Sequence, residues 1–196
     1  MHPLILAAGS LLDQPAEVVI DAAAKAGFDG VGLRLSGEHR VQGPLALGVP
    51  VHDVEAYRID GSATAPEPLL DAAAAVGAGA VLVVSDLGDR GATVDALAAL
   101  VDECRVRDLR LGVEYMAWTD PSGPLDAIEV AGAAGCDIVV DLLHHLRVGA
   151  GVDELRAIVA SGHLGWVQLC DALAATPVGR DALIHEARHG RLLPGA

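Results

Sequence analysis

Glu114, Asp141 and Gln168 follow one another at intervals of 27 residues. Each is a polar group at the end of a short apolar run: Gly112-Val113-Glu114-Tyr115, Val139-Val140-Asp141-Leu142-Leu143-His144-His145 and Gly165-Trp166-Val167-Gln168-Leu169-Cys170-Asp171. Two carboxylates and an amide oxygen are hard donors, suited to Mg²⁺ or Mn²⁺ rather than to thiolate-bound zinc. His144, three residues past Asp141, can approach a substrate or the ion. Another run, His52-Asp53-Val54-Glu55, adds Glu55. Glu114 lies between Val113 and Tyr115 in a run that reads as buried, where an unpaired charge costs several kcal/mol, so a metal or an Arg partner is expected. The plainer reading is that an acidic residue at a strand end caps the next helix or joins a structural ion-pair network. Three positions in register weigh toward a joint metal site.

A step of 27 residues is about one strand-plus-helix unit, and the chain repeats that grammar. Strands are expected near Leu4 to Ala8, Val31 to Leu35, Val51 to Ile59, Ala80 to Ser85, Leu109 to Tyr115, Ile138 to Leu142 and Gly165 to Leu169. Asp13 is expected to cap a first helix with Pro15 and Glu17 in its first turn, Val18, Val19, Ala22 and Ala26 on its buried stripe and Gly27 as its stop. A trimmed helix is expected around Glu38 to Gly48, and further helices over Pro68 to Val76, Thr93 to Arg107, Leu125 to Ala134, Val152 to Ser161 and Arg180 to His189.

Seven parallel strands with intervening helices, and no Gly-rich phosphate turn after Ala8-Gly9-Ser10, predict an α/β fold of the TIM (β/α) barrel type, short of its eighth strand. The 196 residues form one expected domain, 1–196, just under the roughly 200-residue lower end of such barrels. Function is then expected at the C-terminal strand ends, where the polar groups stand. An incomplete barrel leaves unpaired edges, and a homodimer or larger assembly is expected.

Composition narrows the chemistry. With 27 acidic residues against 13 basic ones the formal net charge is −14, a field that repels a phosphate backbone, so nucleic acid is not an expected partner. The single lysine, Lys25, falls inside a helix far from these motifs, which argues against Schiff-base and pyridoxal-phosphate chemistry. Cys104, Cys136 and Cys170 form no C-x-x-C pair and fit a reduced cytoplasmic setting. No basic leader segment and no apolar run of membrane-spanning length is seen, so no membrane partner is expected.

The Glu ending the fifth strand, the Asp141-Leu142-Leu143-His144 run, Gln168-Leu169-Cys170-Asp171 and the tail Glu186-Ala187-Arg188-His189-Gly190-Arg191-Leu192-Leu193-Pro194-Gly195 resemble the xylose-isomerase-like TIM barrels, the sugar phosphate isomerase/epimerase group. The resemblance covers nearly the whole chain and includes Gly30-Val31-Gly32-Leu33-Arg34. It implies a divalent-metal-dependent isomerase or epimerase that moves a proton between adjacent carbons of a small sugar or sugar phosphate, with Mn²⁺ or Mg²⁺ as the ion. Glu114 and Asp141 would be metal ligands, Glu114 also an acid/base carboxylate, and His144 a catalytic or substrate contact. Gln168 would ligate through its amide oxygen where many relatives carry a His. Arg191, or else Arg188, would hold a substrate hydroxyl or phosphate through its donor fork. Relatives supply a further Glu from strand eight, whereas another 27-residue step from Gln168 falls on Gly195. Another subunit or Glu55 would then take that role, or activity would be lost and the barrel would bind a ligand or partner. Dehydration of a cyclic polyol is a neighbouring chemistry of the same group.

Weaker signals remain. Cys170 reads as a small core residue before it reads as a nucleophile. His144 and His145, taken as strand neighbours, point to opposite faces, so at most one serves the site. Trp118 and Trp166 are candidates to line a sugar pocket, with core packing the commoner role.

Overall fold

The computed structural model describes residues 2–35, 48–62 and 64–196. Seven strands hydrogen-bond side by side in chain order, β1 (Ile5–Leu6), β2 (Gly30–Arg34), β3 (Val51–Ile59), β4 (Ala80–Ser85), β5 (Arg110–Glu114), β6 (Asp137–Asp141) and β7 (Leu164–Gln168). The pairs β1–β2, β2–β3, β5–β6 and β6–β7 are parallel. Helices α1 (Ala16–Ala26), α2 (Glu67–Ala75), α3 (Arg90–Arg105), α4 (Pro124–Ala134), α5 (Leu142–Arg147), α6 (Val152–Ser161) and α7 (Arg180–His189) connect them. This is the expected (β/α) barrel class, and no eighth strand occurs among the described residues. The shortened helix expected around Glu38 to Gly48 lies outside the described residues, apart from its last position.

The chain packs as two compact units. The first holds residues 1–57, 62–83 and 99–111. Here β1 runs beside β2 with Ile5 opposite Gly30, and β2 beside β3 with Gly32 opposite Asp53 and Arg34 opposite Glu55. Val31, Leu33 and Val54 are buried and fill its core with Val19, Ile20 and Ala23 of α1. Two expectations are corrected here. Asp13 does not cap α1, which begins after Pro15, a residue in extended conformation making no side-chain cap bond. Its buried stripe is Ala16, Val19, Ile20 and Ala23, while Val18 is 44% exposed, so the face against β2 is rotated from the expected one. Gly27 ends it as expected, in the left-handed conformation at φ 78° that a side chain would resist.

The second unit holds residues 58–61, 84–98 and 112–196, and with them the ends of β5, β6 and β7. Gly112 lies opposite Asp137 and Glu114 opposite Val139, while Val139 lies opposite Trp166 and Asp141 opposite Gln168. Pro124 opens α4, where its missing N–H is harmless, and Gly135 closes it at φ 74°. Ala127, Val130, Ala131 and Ala134 form its buried face, and α4 packs against α6. Leu142 to Arg147 forms a short helix rather than a strand extension, so His144 and His145 diverge as helix neighbours. After β7 the chain returns through an antiparallel bridge of Asp171 with Leu192, and Arg147 pairs with Glu186 of α7 at 2.6 Å with both side chains buried. Among the described residues, no helix is long and apolar enough to cross a membrane.

Candidate metal centre

Residues opposite one another in a parallel pair project to the same side, and residues two apart on one strand do likewise. Glu114 faces Val139, Val139 shares its face with Asp141, and Asp141 faces Gln168, so all three expected oxygen donors lie on one face. One pleat toward the N-terminal ends, Gly112, Val139 and Trp166 form the layer on which they rest. A Cβ on Gly112 would fall 2.6 Å from Trp166 Cη2 and 2.7 Å from Val139 Cγ2, so only glycine admits the indole there.

Donor atoms of Glu114, Asp141 and His144 lie within 4.8 Å of one another. All three side chains are shut away from water, at 6%, 1% and 4% exposure. His144 joins the carboxylates because α5 starts directly at Asp141 and its first turn brings His144 back over the strand end. Asp141 itself makes that start: its Oδ1 accepts the Leu143 N–H at 2.8 Å and caps the helix. Its Oδ2 lies 2.7 Å from Nη1 of Arg191. The plainer reading of a strand-end acid, as a cap or an Arg partner, is thus met twice over by Asp141.

Arg191 is the hub of the remaining contacts. Nη1 donates to Cys170 Sγ at 3.1 Å, Nε donates to the Ala187 carbonyl at 2.7 Å, and Nη2 stands 3.5 Å from His144 Nε2. A guanidinium offers only donors, so the imidazole nitrogen facing it is the unprotonated one. Burial pushes His144 down to about 4, against the upward pull of Asp141, and the ring is neutral at pH 7. Trp118 stands edge-on to it, with ring centres 5.2 Å apart and planes at 88°. The Cys170 thiol is pushed up by its burial and then by the charge of Asp141. Two carboxylates and a neutral imidazole, buried together with no thiolate among them, are a donor set that fits a divalent ion.

His145, one residue on, serves a different purpose. Its Nε2 lies 2.9 Å from the Gly151 carbonyl, which can only accept, so Nδ1 accepts from the Tyr115 hydroxyl at 2.6 Å. Burial raises the Tyr115 phenol, which therefore stays protonated as the donor. The relay ties the residues next to Glu114 and next to His144 to each other.

Arg188 and Glu55 are not among the clustered donors. Arg188 is exposed on α7. Glu55, 7% exposed, belongs to the first unit, where Arg34 Nη2 stands 3.7 Å from it and the neighbouring Asp53 takes His52 Nδ1 at 2.9 Å. Arg147, which the sequence reading passed over, donates to both oxygens of Glu186 and to the Leu173 carbonyl, bracing the 171–192 excursion that carries Arg191. The signal available was an arginine closing the otherwise apolar and His-bearing run Leu142 to Leu146.

No protein family's sequence model matches the chain, and no curated protein matches it in sequence. Solved structures do. A xylose isomerase-like TIM barrel/4-hydroxyphenylpyruvate dioxygenase fusion protein superposes with a TM-score of 0.79 at 23% identity over 97% of this chain, which spans 34% of that protein's length. A D-allulose 3-epimerase from Methylomonas sp. gives 0.67 at 16% identity, covering 98% of this chain and 82% of its own. A xylose isomerase-like TIM barrel protein from Mycobacterium smegmatis, in complex with magnesium, gives 0.59 at 15% identity, covering 87% and 75%. At these identities the likeness is one of fold.

Proposed function

We propose that this chain, which has the fold of the xylose isomerase-like TIM barrels, holds a divalent ion at Glu114, Asp141 and His144 and acts as an isomerase or epimerase on a small sugar or sugar phosphate. The observation that carries the reading is the convergence of two buried carboxylates and a neutral imidazole at adjoining strand ends. Gln168, opposite Asp141, would add an amide oxygen. When bound, an ion such as Mn²⁺ or Mg²⁺ polarises a carbonyl or hydroxyl oxygen of the sugar. Glu114 accepts a proton at a carboxylate oxygen from the carbon beside that group and returns it to the neighbouring carbon or to the other face. Arg191 holds a sugar hydroxyl or phosphate through whichever N–H groups Asp141 leaves to it, and Trp118 supplies an apolar wall. Three free cysteines accord with a cytoplasmic setting. Val167 on β7 and Leu169 just past its end, exposed at 43% and 61%, support a homodimer or larger, which light scattering tests.

A second reading has its own support. Asp141 is already engaged by the protein, Oδ1 as a helix cap and Oδ2 in an ion pair with Arg191 that makes no hydrogen bond, as in a barrel that keeps its scaffold and binds a ligand without turnover. Calorimetry with Mn²⁺ and Mg²⁺ on the native chain, Glu114→Gln and Asp141→Asn separates the two. Binding by the native chain that both substitutions abolish, with solvent deuterium entering a ketose or sugar phosphate, supports the enzyme. A native chain that binds neither ion overturns it.

A further inference from the structure

The sequence His185-Glu186-Ala187-Arg188-His189 spells H-E-x-x-H, a spacing that on a helix puts two imidazoles on one side, one turn apart. The structure realises half of it. All five residues lie in α7, a helix of ten residues, and His185 and His189 are both exposed. Their ring centres are 5.1 Å apart. Two imidazoles bound to one tetrahedral ion at the usual zinc–nitrogen distance have ring centres roughly 5.2 Å apart, so the pair already stands at chelating separation. His189 lies in the last turn of α7, where the helix carbonyls favour a cation, and His185 stands one turn before it, on a chain of net charge −14.

The Glu of the motif does not take part. Glu186 is 8% exposed and gives its two oxygens to Arg147 at 2.6 and 2.8 Å. It braces α7 against α5 and cannot activate a water on the exposed rings. We propose that His185 and His189 form a second metal site, a surface bidentate one for a borderline first-row ion such as Zn²⁺, Ni²⁺ or Cu²⁺, which lacks the base of a metallohydrolase. Imidazole nitrogen suits these ions, whereas Mg²⁺ seeks oxygen, so the site is chemically distinct from the buried cluster and does not rest on its function.

The test is a Zn²⁺ titration by calorimetry of the full chain, His185→Ala, His189→Ala and the double variant Glu114→Gln/Asp141→Asn, with Mn²⁺ run in parallel to read the buried cluster. Both histidines are exposed, so their substitutions keep the fold, which circular dichroism checks. Each should weaken one Zn²⁺ event by at least about tenfold, the scale that even an outer-shell change reaches, and leave Mn²⁺ untouched. The Glu114→Gln/Asp141→Asn variant should keep that Zn²⁺ event. Zinc shifts of the His185 and His189 imidazole NMR signals in the native chain supply the same answer should that variant fail to fold. Unchanged Zn²⁺ binding after His185→Ala and His189→Ala, or imidazole signals that zinc does not move, overturns the site. A native chain that shows the Zn²⁺ event but binds no Mn²⁺ would instead count against the proposed function and leave this site standing.

Discussion

Arg191 Nη1 stands 2.7 Å from Asp141 Oδ2, and this contact joins the chain's return segment to the buried donor cluster. Asp141 is 1% exposed at its side chain and Arg191 30%, so the carboxylate has little water to fall back on, while the guanidinium retains some. Without a bound ion the arginine is the cation that makes this buried charge tolerable. The same positive charge opposes a divalent ion arriving at Asp141.

Arg191→Met should therefore act in opposite directions on the two states. The metal-free chain loses about 1–3 kcal/mol, below the full cost of breaking a buried pair because Arg191 is partly solvated. For a chain of this size that is roughly 2–4 °C of melting temperature per kcal/mol. Mn²⁺ should then raise the melting temperature of Arg191→Met by more than it raises that of the native chain. An equal or smaller rise would show that Arg191 does not compete with the ion.

Tyr115→Phe removes the donor to His145 Nδ1 and leaves a ring nitrogen of a side chain only 1% exposed without its partner. The expected cost is about 1–3 kcal/mol, read as a lower urea midpoint at unchanged slope. Nitrogen-15 NMR of the native chain should show His145 as the Nε2–H tautomer, since the Gly151 carbonyl accepts there. An Nδ1–H tautomer would reverse the relay and remove the expected penalty.

The period of 27 residues was readable because one strand-plus-helix unit returns the chain to the same height, and β5, β6 and β7 do place Glu114, Asp141 and Gln168 on one face. The bounds of β3, β4, α6 and α7 are as expected, each set by Gly or Pro punctuation flanking a clear pattern. Three features were hidden. The run Leu142 to Leu146 reads on from the strand before it, yet it forms a helix that Asp141 caps, and that turn is what brings His144 up to the two carboxylates. The face of α1 was set by its packing on β2, which chose between two apolar stripes that the small residues of the helix leave open. Arg147 and Glu186 are 39 residues apart, and no local periodicity reports a contact across that distance.

Burial pushes Cys104 up to about 11 and Cys136 up to about 12, from an ordinary value of 9.0. At neutral pH both thiols are protonated whether the chain is folded or not, and they add nothing to pH dependence there. Above it the unfolded chain sheds these protons while the folded one keeps them, so stability falls as pH rises, until the folded thiols ionise in turn. Urea midpoints should drop between pH 8 and pH 10.5, and drop less in Cys104→Ala and Cys136→Ala. A native midpoint flat across that range, or identical slopes in the variants, would refute the assignment. At pH 8 Ellman's reagent should reach the half-buried Cys170 well before Cys104 or Cys136.

Gly112→Ala tests whether the layer beneath the donors sets their positions. Its new Cβ would meet the Trp166 ring at 2.6 and 2.7 Å and Val139 Cγ2 at 2.7 Å, closer than such atoms approach. The backbone there is paired in the sheet, so the indole and the valine must move instead. Overpacking of this kind costs about 1–3 kcal/mol. Because Val139 and Trp166 lie two residues before Asp141 and Gln168, the shift is passed directly to two of the expected ligands. Gly112→Ala should thus lower the melting temperature, change the tryptophan emission and weaken Mn²⁺ binding together. Asp53, opposite Gly32 in the first unit, offers the control: Gly32→Ala puts its Cβ 3.1 Å from Asp53 Oδ1 and 3.2 Å from the Ala8 amide, and should lower stability while leaving Mn²⁺ affinity unchanged. Equal loss of Mn²⁺ affinity in both variants would mean that general destabilisation, not the Trp166 layer, weakens the site.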